Sequence, residues 1–273
     1  ENSAGELVPG SAIPYGGSAS PGGYTVDPQE NIVYVAAHDN ETLWDAIQFK
    51  APADMSVEDR IRLNNLSISF AAFSQGVPFF HAGDDMLRSK SMDRDSYNSS
   101  DWFNRLDFTY NDNNWGVGVG PTHLNIADII QPILANEDLR VTTEDIFGSV
   151  EYMRELLAIR NSSLLFRLRT GEQVMERVNF HNTGTDQMPG LIVMSISDVV
   201  GEDLDSQHDM IVVVFNATDA AINYSVNDLA EIAFELHPVQ ATSSDAISAS
   251  AQFSNGTFMV PAFTTSVFVV PQS

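Results

Sequence analysis

The sequence predicts two kinds of structure in succession, an α/β part followed by an all-β part. Two short apolar runs, at residues 32–37 and 77–81, flank an amphipathic helical pattern, as in a β-α-β unit. After about residue 162 the helical periodicity ends, and short β-branched runs separated by turn residues take over. We therefore predict two domains, residues 1–162 and residues 163–273, the second an antiparallel β-sandwich.

The helix of the β-α-β unit is predicted over residues 56–74. Ser56 and Asp59 have the spacing of a capping box, and Gly76 follows the last apolar position. A second helix is predicted from a cap at Ser149 to residue 161. The 83–145 stretch is rich in Asp, Asn, Ser and aromatic residues, with one weak helical piece near 126–134, which is typical of a functional loop.

Seven apolar runs predict the strands of the second domain. They lie at residues 174–180, 191–197, 210–216, 222–226, 232–236, 253–260 and 264–270. The Asn255-Gly256 pair inside the sixth run indicates a type I′ hairpin, so that run is predicted to form two strands.

The runs at 32–37 and 77–81 are apolar without alternation, which predicts strands buried on both faces. Two strands cannot close a barrel or form a stable open sheet by themselves. One explanation is a small α/β layer packed on the sandwich. The other is that the chain is the C-terminal piece of a larger enzyme.

Composition restricts the classes of partner. The 273 residues include 37 Asp and Glu against 13 Lys and Arg, so the formal net charge is −24. Such a field disfavours nucleic acids and anionic membranes as partners but is indifferent to neutral sugars. The absence of Cys excludes disulfides, thiolate nucleophiles and Cys-based zinc sites. No apolar run reaches the roughly 18 residues of a membrane span, and any signal peptide is expected to lie outside this sequence.

Several motifs, in order along the chain, resemble pullulanase-type α-1,6-glucosidases of the α-amylase superfamily. In the first part they are YVAAHDNETLWD at 34–45, GVPFFHAGD at 76–84, LRSKS at 87–91, DSY at 95–97 and DWFNR at 101–105. In the second part they are VMERV at 174–178, NTGTDQ at 182–187 and VPAFTT at 260–265. The resemblance extends from about residue 10 to the end of the chain.

The resemblance implies the last two βα units of a (β/α)₈ catalytic barrel, followed by the C-terminal β-sandwich. Retaining hydrolysis uses a nucleophile and a general acid about 5–5.5 Å apart, and the resemblance implies that both lie upstream of this sequence. The third carboxylate of the family matches Asp39, which would stabilise the transition state, and His38 would bind hydroxyls of the same sugar. The alternative, without a catalytic role, is that His38 and Asp39 form a polar turn at a strand end.

The resemblance also implies a substrate-binding element. Asp101 and Arg105 would bracket hydroxyls of the next sugar, and Trp102 would supply a stacking face. The alternative is a surface ion pair with a buried aromatic residue. Asp95 is a further substrate-binding candidate, and Tyr97 is a comparable one. Calcium is compatible with such enzymes, but no residue here marks its ligands.

The predicted function is therefore the C-terminal portion of a starch-debranching hydrolase that cleaves α-1,6 linkages in pullulan or other α-glucans and is inactive alone. Its partners would be the α-glucan and the N-terminal remainder of the same enzyme, in a bacterial secreted, periplasmic or cell-surface location. One alternative is a non-catalytic carbohydrate-binding or structural module. Another is an isoamylase-like or α-1,4-acting enzyme of the same superfamily. A catalytic pair of Asp39 with Asp84 or Asp85 is disfavoured. Trp44 fits the core and the site equally well, and His81 is expected to be a hydrogen-bonded histidine at a strand end rather than a catalytic residue.

Overall fold

The structure is a computed structural model that describes residues 6, 8–17 and 19–272. The predicted first domain is thus described except for residues 1–5, 7 and 18. Strand β1 (Ile32–Val33) pairs in parallel with β2 (Val77–Pro78), with Ile32 opposite Val77. Helices α1 (Leu43–Lys50) and α2 (Val57–Phe73) connect the two strands, so the β-α-β unit predicted from the sequence is confirmed.

Local capping explains where these helices begin. The Ser56 hydroxyl accepts from the amide of Asp59 at 3.1 Å, as predicted for α2. The α2 helix ends at Phe73, and Gly76 turns the chain with a φ of 103°. Thr42 caps α1 in the same way, because its hydroxyl accepts from the amide of Asp45 at 3.1 Å. The α1 helix was not among the predicted elements.

The prediction that both first-part strands are buried on both faces was wrong for this chain. The two strands are only two residues long. Ile32 is 53% exposed, Val77 41% and Phe79 46%. The physical reason is that, within the described part of the chain, β1 and β2 pair only with each other, so that part of their apolar surface faces solvent.

The long stretch after β2 contains two helices, α3 (Asp101–Asn104) and α4 (Ala127–Leu134). Its apolar side chains form a cluster with Trp44 and the next helix, α5 (Thr143–Ser162). The α5 helix is capped by Thr142, whose hydroxyl accepts from the amide of Asp145. The predicted start at Ser149 was therefore wrong, because the capping box lies two turns earlier.

The second part of the chain is mostly antiparallel sheet. A five-stranded sheet has the order β3-β4-β5-β10-β7, and a three-stranded sheet has the order β6-β9-β8. The strands are β3 (Val178–Phe180), β4 (Leu191–Ser197), β5 (His208–Asn216), β6 (Ile222–Ser225), β7 (Glu235–Leu236), β8 (Gln252–Ser254), β9 (Thr257–Val260) and β10 (Thr264–Pro271). Short helices α6 (Gly171–Arg177) and α7 (Pro238–Ala241) precede β3 and follow β7.

Most predicted strands of this part are confirmed, but two runs are strands only at their ends. The 232–236 run is a strand only at Glu235–Leu236. The 174–180 run is a strand only from Val178, because its first residues complete α6. The hairpin prediction is confirmed, since Asn255 and Gly256 have φ values of 51° and 74° and connect β8 to β9.

The five-stranded sheet is the middle layer of three. Along β5, Ile211, Val213 and Phe215 pack with the helices, and Val212 and Val214 pack with the three-stranded sheet. One cluster thus joins α2 and α5 to the sheet across the predicted boundary at residue 162, and the division into two domains stays a prediction. Among the described residues, no helix combines the length and the apolar character that crossing a bilayer requires.

Candidate functional site

His38 and Asp39 lie beyond the carboxyl end of β1 and face solvent. Their side chains are 87% and 83% exposed, and Nδ1 of His38 lies 3.3 Å from Oδ1 of Asp39. The next residue, Asn40, has a φ of 62°, which turns the chain sharply toward α1. The two predicted residues are therefore adjacent, exposed and on a tight turn.

A buried lysine, Lys90, forms hydrogen bonds to the backbone of this turn. Lys90 is 2% exposed, and its Nζ donates to the carbonyl oxygens of Asn40 at 2.6 Å and His38 at 3.3 Å. Burial lowers the pKa of Lys90, and the charge of Asp45 acts in the opposite direction. The two bonded carbonyls belong to the residues on either side of Asp39.

Asp45 in the first turn of α1 fixes the segment that carries Lys90. Its carboxylate accepts from the Ser89 hydroxyl at 2.5 Å and from the amides of Lys90 at 2.7 Å and Met92 at 3.2 Å. Burial raises the pKa of Asp45 to about 6, although these hydrogen bonds favour its charged form.

Asp101, Trp102 and Arg105 line one open depression of about 380 Å³ together with Asn104. Trp102 is 61% exposed, and its Nε1 donates to the carbonyl of Val117 at 2.8 Å. That bond fixes the indole while leaving a large part of its surface in solvent. The aromatic residue is therefore not buried, as the alternative interpretation required.

Arg105 pairs with Asp112 rather than with Asp101. Its guanidinium forms an ion pair with the Asp112 carboxylate, and both side chains are about half exposed. The predicted bracket of Asp101 and Arg105 is thus present only in that both residues line the same depression.

Asp95 lies in a neighbouring depression of about 550 Å³, which Tyr97 and His123 also line. The Thr122 hydroxyl donates to its carboxylate at 3.4 Å. Tyr97 is 85% exposed. The structure therefore places Asp95 and Asp101 in two depressions of one loop region.

Arg88 connects the end of β2 to the Asp101 region. Its guanidinium donates to the carbonyl of Asn104 at 2.6 Å and lies 3.5 Å from Nε2 of His81. Burial, followed by the charges of Arg88 and Lys90, lowers the pKa of His81 to about 4. His81 is thus a neutral, half-buried residue at the strand end.

Burial distinguishes Trp44 and Asp84 from the exposed site residues. Trp44 is 1% exposed and belongs to the core. Asp84 is 5% exposed, and burial raises its pKa to about 7. Asp84 is therefore buried, whereas Asp39 faces solvent.

No metal site emerges from residues 6, 8–17 and 19–272, since no three or more His, Asp or Glu side chains are grouped to hold an ion. We derive no step through a metal. The three residues that sequence reasoning missed are Asp45, Arg88 and Lys90. The only signal for Lys90 is that the chain has one other lysine, Lys50.

Comparison with known proteins gives the family. The family model described as "Alpha-1,6-glucosidases, pullulanase-type, C-terminal" matches residues 110–271. The chain belongs to this family. It is 49% identical over 261 residues to "Pullulanase 1, chloroplastic" of Arabidopsis thaliana. The aligned part covers 92% of this chain and 27% of that protein.

Solved pullulanase structures show the same similarity. The PulA crystal structure from Klebsiella oxytoca matches with a TM-score of 0.91 at 37% identity, over 100% of this chain and 26% of that chain. A maltotriose complex of PulA from Klebsiella pneumoniae matches with a TM-score of 0.88 at 38% identity, over 97% of this chain and 28% of that chain. The chain thus spans about a quarter of the length of the pullulanases it matches.

Proposed function

We propose that this chain is the C-terminal portion of a starch-debranching glycoside hydrolase that cleaves α-1,6 linkages in pullulan or branched α-glucans. The observation that carries the proposal is the exposed His38–Asp39 turn after a parallel strand, in a chain that belongs to the pullulanase-type family. A neutral glucan is also the substrate class that a chain of net charge −24 would not repel. A solved relative is described as a complex with maltotriose, an α-glucan oligosaccharide.

In this proposal β1 and β2 are the last two strands of a (β/α)₈ barrel. Their parallel pairing and the helical connection between them support it. So does the exposed apolar surface of Tyr34 and Phe79, whose rings meet edge to face at 6.0 Å. The remainder of the same enzyme would cover this surface and close the barrel. Active sites of such barrels lie at the carboxyl ends of the strands, where His38 and Asp39 lie.

Asp39 would act on charge that develops in the transition state. Glycoside hydrolysis passes through an oxocarbenium-like state, and a fixed carboxylate beside it lowers the barrier. His38 would bind a hydroxyl of the same sugar and orient it. The nucleophile and general acid of a retaining mechanism would come from the remainder of the enzyme, so this chain alone would be inactive.

Asp101, Trp102 and Arg105 would bind the next sugar unit, with Asp95 beside them. Trp102 is suited to stacking because its ring is exposed yet held by the Val117 carbonyl. For location, a bacterial secreted, periplasmic or cell-surface setting stays a prediction. The Arabidopsis relative is chloroplastic by its name, and that compartment is the second candidate.

The test compares this chain alone with the enzyme that contains it and the rest of the barrel, measuring reducing ends released from pullulan. We expect activity only in the complete enzyme. Asp39→Asn should lower its kcat by about 100-fold or more, which is the usual size of a lost electrostatic contact to a transition state. Asp219→Asn, an exposed change in the sandwich, is the control and should leave kcat unchanged. Pullulan cleavage by the chain alone, or full activity of Asp39→Asn, would contradict the proposal.

A further inference from the structure

We infer that Lys90 and Asp45 together act as positioning residues for the Asp39 carboxylate, an inference that rests on the proposed function. Asp39 is on an exposed turn, and its side chain contacts the equally exposed His38. An exposed turn needs contacts with the rest of the protein to keep its carboxylate in one place. The two Lys90 hydrogen bonds supply it on both sides of Asp39.

Both bonds go to main-chain oxygen atoms, so Lys90 restrains the path of the chain rather than a side chain. The bond to the carbonyl of residue 38 restrains the peptide group before Asp39, and the bond to that of residue 40 restrains the peptide group after Asn40. The donor is a charged ammonium in a buried setting, where such hydrogen bonds are stronger than neutral ones.

The backbone around Lys90 is held in a conformation that it would not adopt freely. Leu87, Ser91 and Met92 have φ values of 55°, 56° and 60°, in the left-handed region that residues with a side chain avoid. Such conformations persist only where the surroundings impose them, and they concentrate at functional sites. Asp45 restrains the part of this segment around Ser91 and Met92 through its bonds to the amides of Lys90 and Met92.

The two segments therefore hold each other. Residues 38–45 carry Asp39 and, six residues later, the Asp45 carboxylate that fixes the 89–92 segment. The 89–92 segment returns the Lys90 ammonium to the turn that carries Asp39. Catalytic groups act only within a fraction of an ångström of their productive place. Loosening the hydrogen bonds between these two segments should therefore reduce turnover more than substrate binding.

The test uses the complete enzyme, with pullulan as substrate and Lys90→Met as the variant. We expect kcat to fall at least tenfold and KM to change less than threefold. Hydrogen exchange measured by mass spectrometry should show that the amides of residues 38–41 exchange at least tenfold faster. Lys50→Met is the matched control, because Lys50 is exposed at the end of α1, and it should leave kcat, KM and the exchange rates unchanged.

Asp45→Asn tests the bonds from Asp45 to the 89–92 segment, because it removes the charge and one acceptor oxygen. It should also lower kcat and speed up exchange. If Lys90→Met does not fold, Lys90→Gln, which removes the charge but keeps a donor, is measured in its place, and smaller changes in the same direction are expected. Unchanged exchange and unchanged kcat in these variants would overturn the inference. A wild-type enzyme that folds but does not cleave pullulan would refute the proposed function instead. The exchange comparison would then still test whether Lys90 and Asp45 restrain the turn that carries Asp39.

Discussion

At the scale of single residues, buried charged side chains have two kinds of partner, main-chain oxygen atoms or a side chain of opposite charge. Lys90 binds main-chain oxygens beside the candidate site. Arg177 and Asp198, in contrast, form a buried ion pair of 2.5 Å with side chains 1% and 3% exposed. Arg177 also donates to the carbonyl of Glu202, and Asp198 accepts from the amide of Asp205. This pair connects α6 to the loop between β4 and β5.

The buried pair predicts a large loss of stability when one partner is removed. Arg177→Met should lower the free energy of unfolding by about 3–5 kcal/mol, because it leaves the Asp198 charge buried and unpaired. Arg154→Met is the matched control, since Arg154 pairs with Glu151 at the surface of α5 and is 59% exposed. The control should cost about 1 kcal/mol or less. Urea unfolding measures both, and equal losses for the two variants would contradict the prediction.

At the scale of elements, the end of α5 is joined to α7 through a buried histidine. Nδ1 of His237 accepts from the amide of Val239 at 3.2 Å, which caps α7, so its Nε2 is the donor toward the Ser162 hydroxyl at 3.2 Å. The ring of His208 lies 6.0 Å away. Burial, with the charge of His208 second, lowers the pKa of His237 to about 4. A second proton on the ring would place a donor against the Val239 amide.

This junction predicts an acid-dependent loss of stability. The folded-state pKa of His237 lies below the ordinary value of 6.5, so its contribution is present above about pH 6.5 and is lost as the pH falls toward 4. The loss over that interval is on the order of 3 kcal/mol. His237→Asn keeps a capping acceptor and removes the titration. Its unfolding free energy should therefore fall less than that of the wild type between pH 7 and pH 4, and parallel curves would contradict the assignment.

The elements also show how far the sequence could predict the fold. The strands of the middle sheet were predicted because burial on two faces makes runs such as 210–216 uniformly apolar. The same reasoning failed for β1 and β2, since among the described residues no further strand pairs with them. The 174–180 run was misread because Thr170 caps a helix there: its hydroxyl accepts from the amide of Gln173 at 3.2 Å, and that contact is a local one that apolar periodicity does not detect.

The candidate site was predictable only where it is continuous in sequence. His38, Asp39 and the 101–105 motif were found from contiguous residues. The role suggested for Lys90 depends on its side chain reaching the carbonyl of Asn40, 50 positions away. Neither composition nor periodicity encodes such a contact, and the same holds for Arg88 and the carbonyl of Asn104.

At the scale of the whole molecule, the layers are unequally covered. The middle sheet is buried on both faces, by helices on one side and by the three-stranded sheet on the other. The β1–β2 pair instead leaves Ile32, Tyr34 and Phe79 about half exposed. A contiguous apolar surface of this kind usually marks a site that another segment or partner covers.

This surface predicts how the chain behaves without the remainder of the proposed enzyme. Alone, it should bind the dye 8-anilinonaphthalene-1-sulfonate and raise its fluorescence several-fold, and the complete enzyme should not. Replacing Tyr34 and Phe79 together by Ser should reduce the fluorescence of the chain alone, because both rings lie on the exposed surface. Val26→Ser is the control, since Val26 is 78% exposed elsewhere. Equal fluorescence from the chain alone and from the complete enzyme would mean that the remainder of the proposed enzyme does not cover these strands, and the barrel assignment of β1 and β2 would then fail.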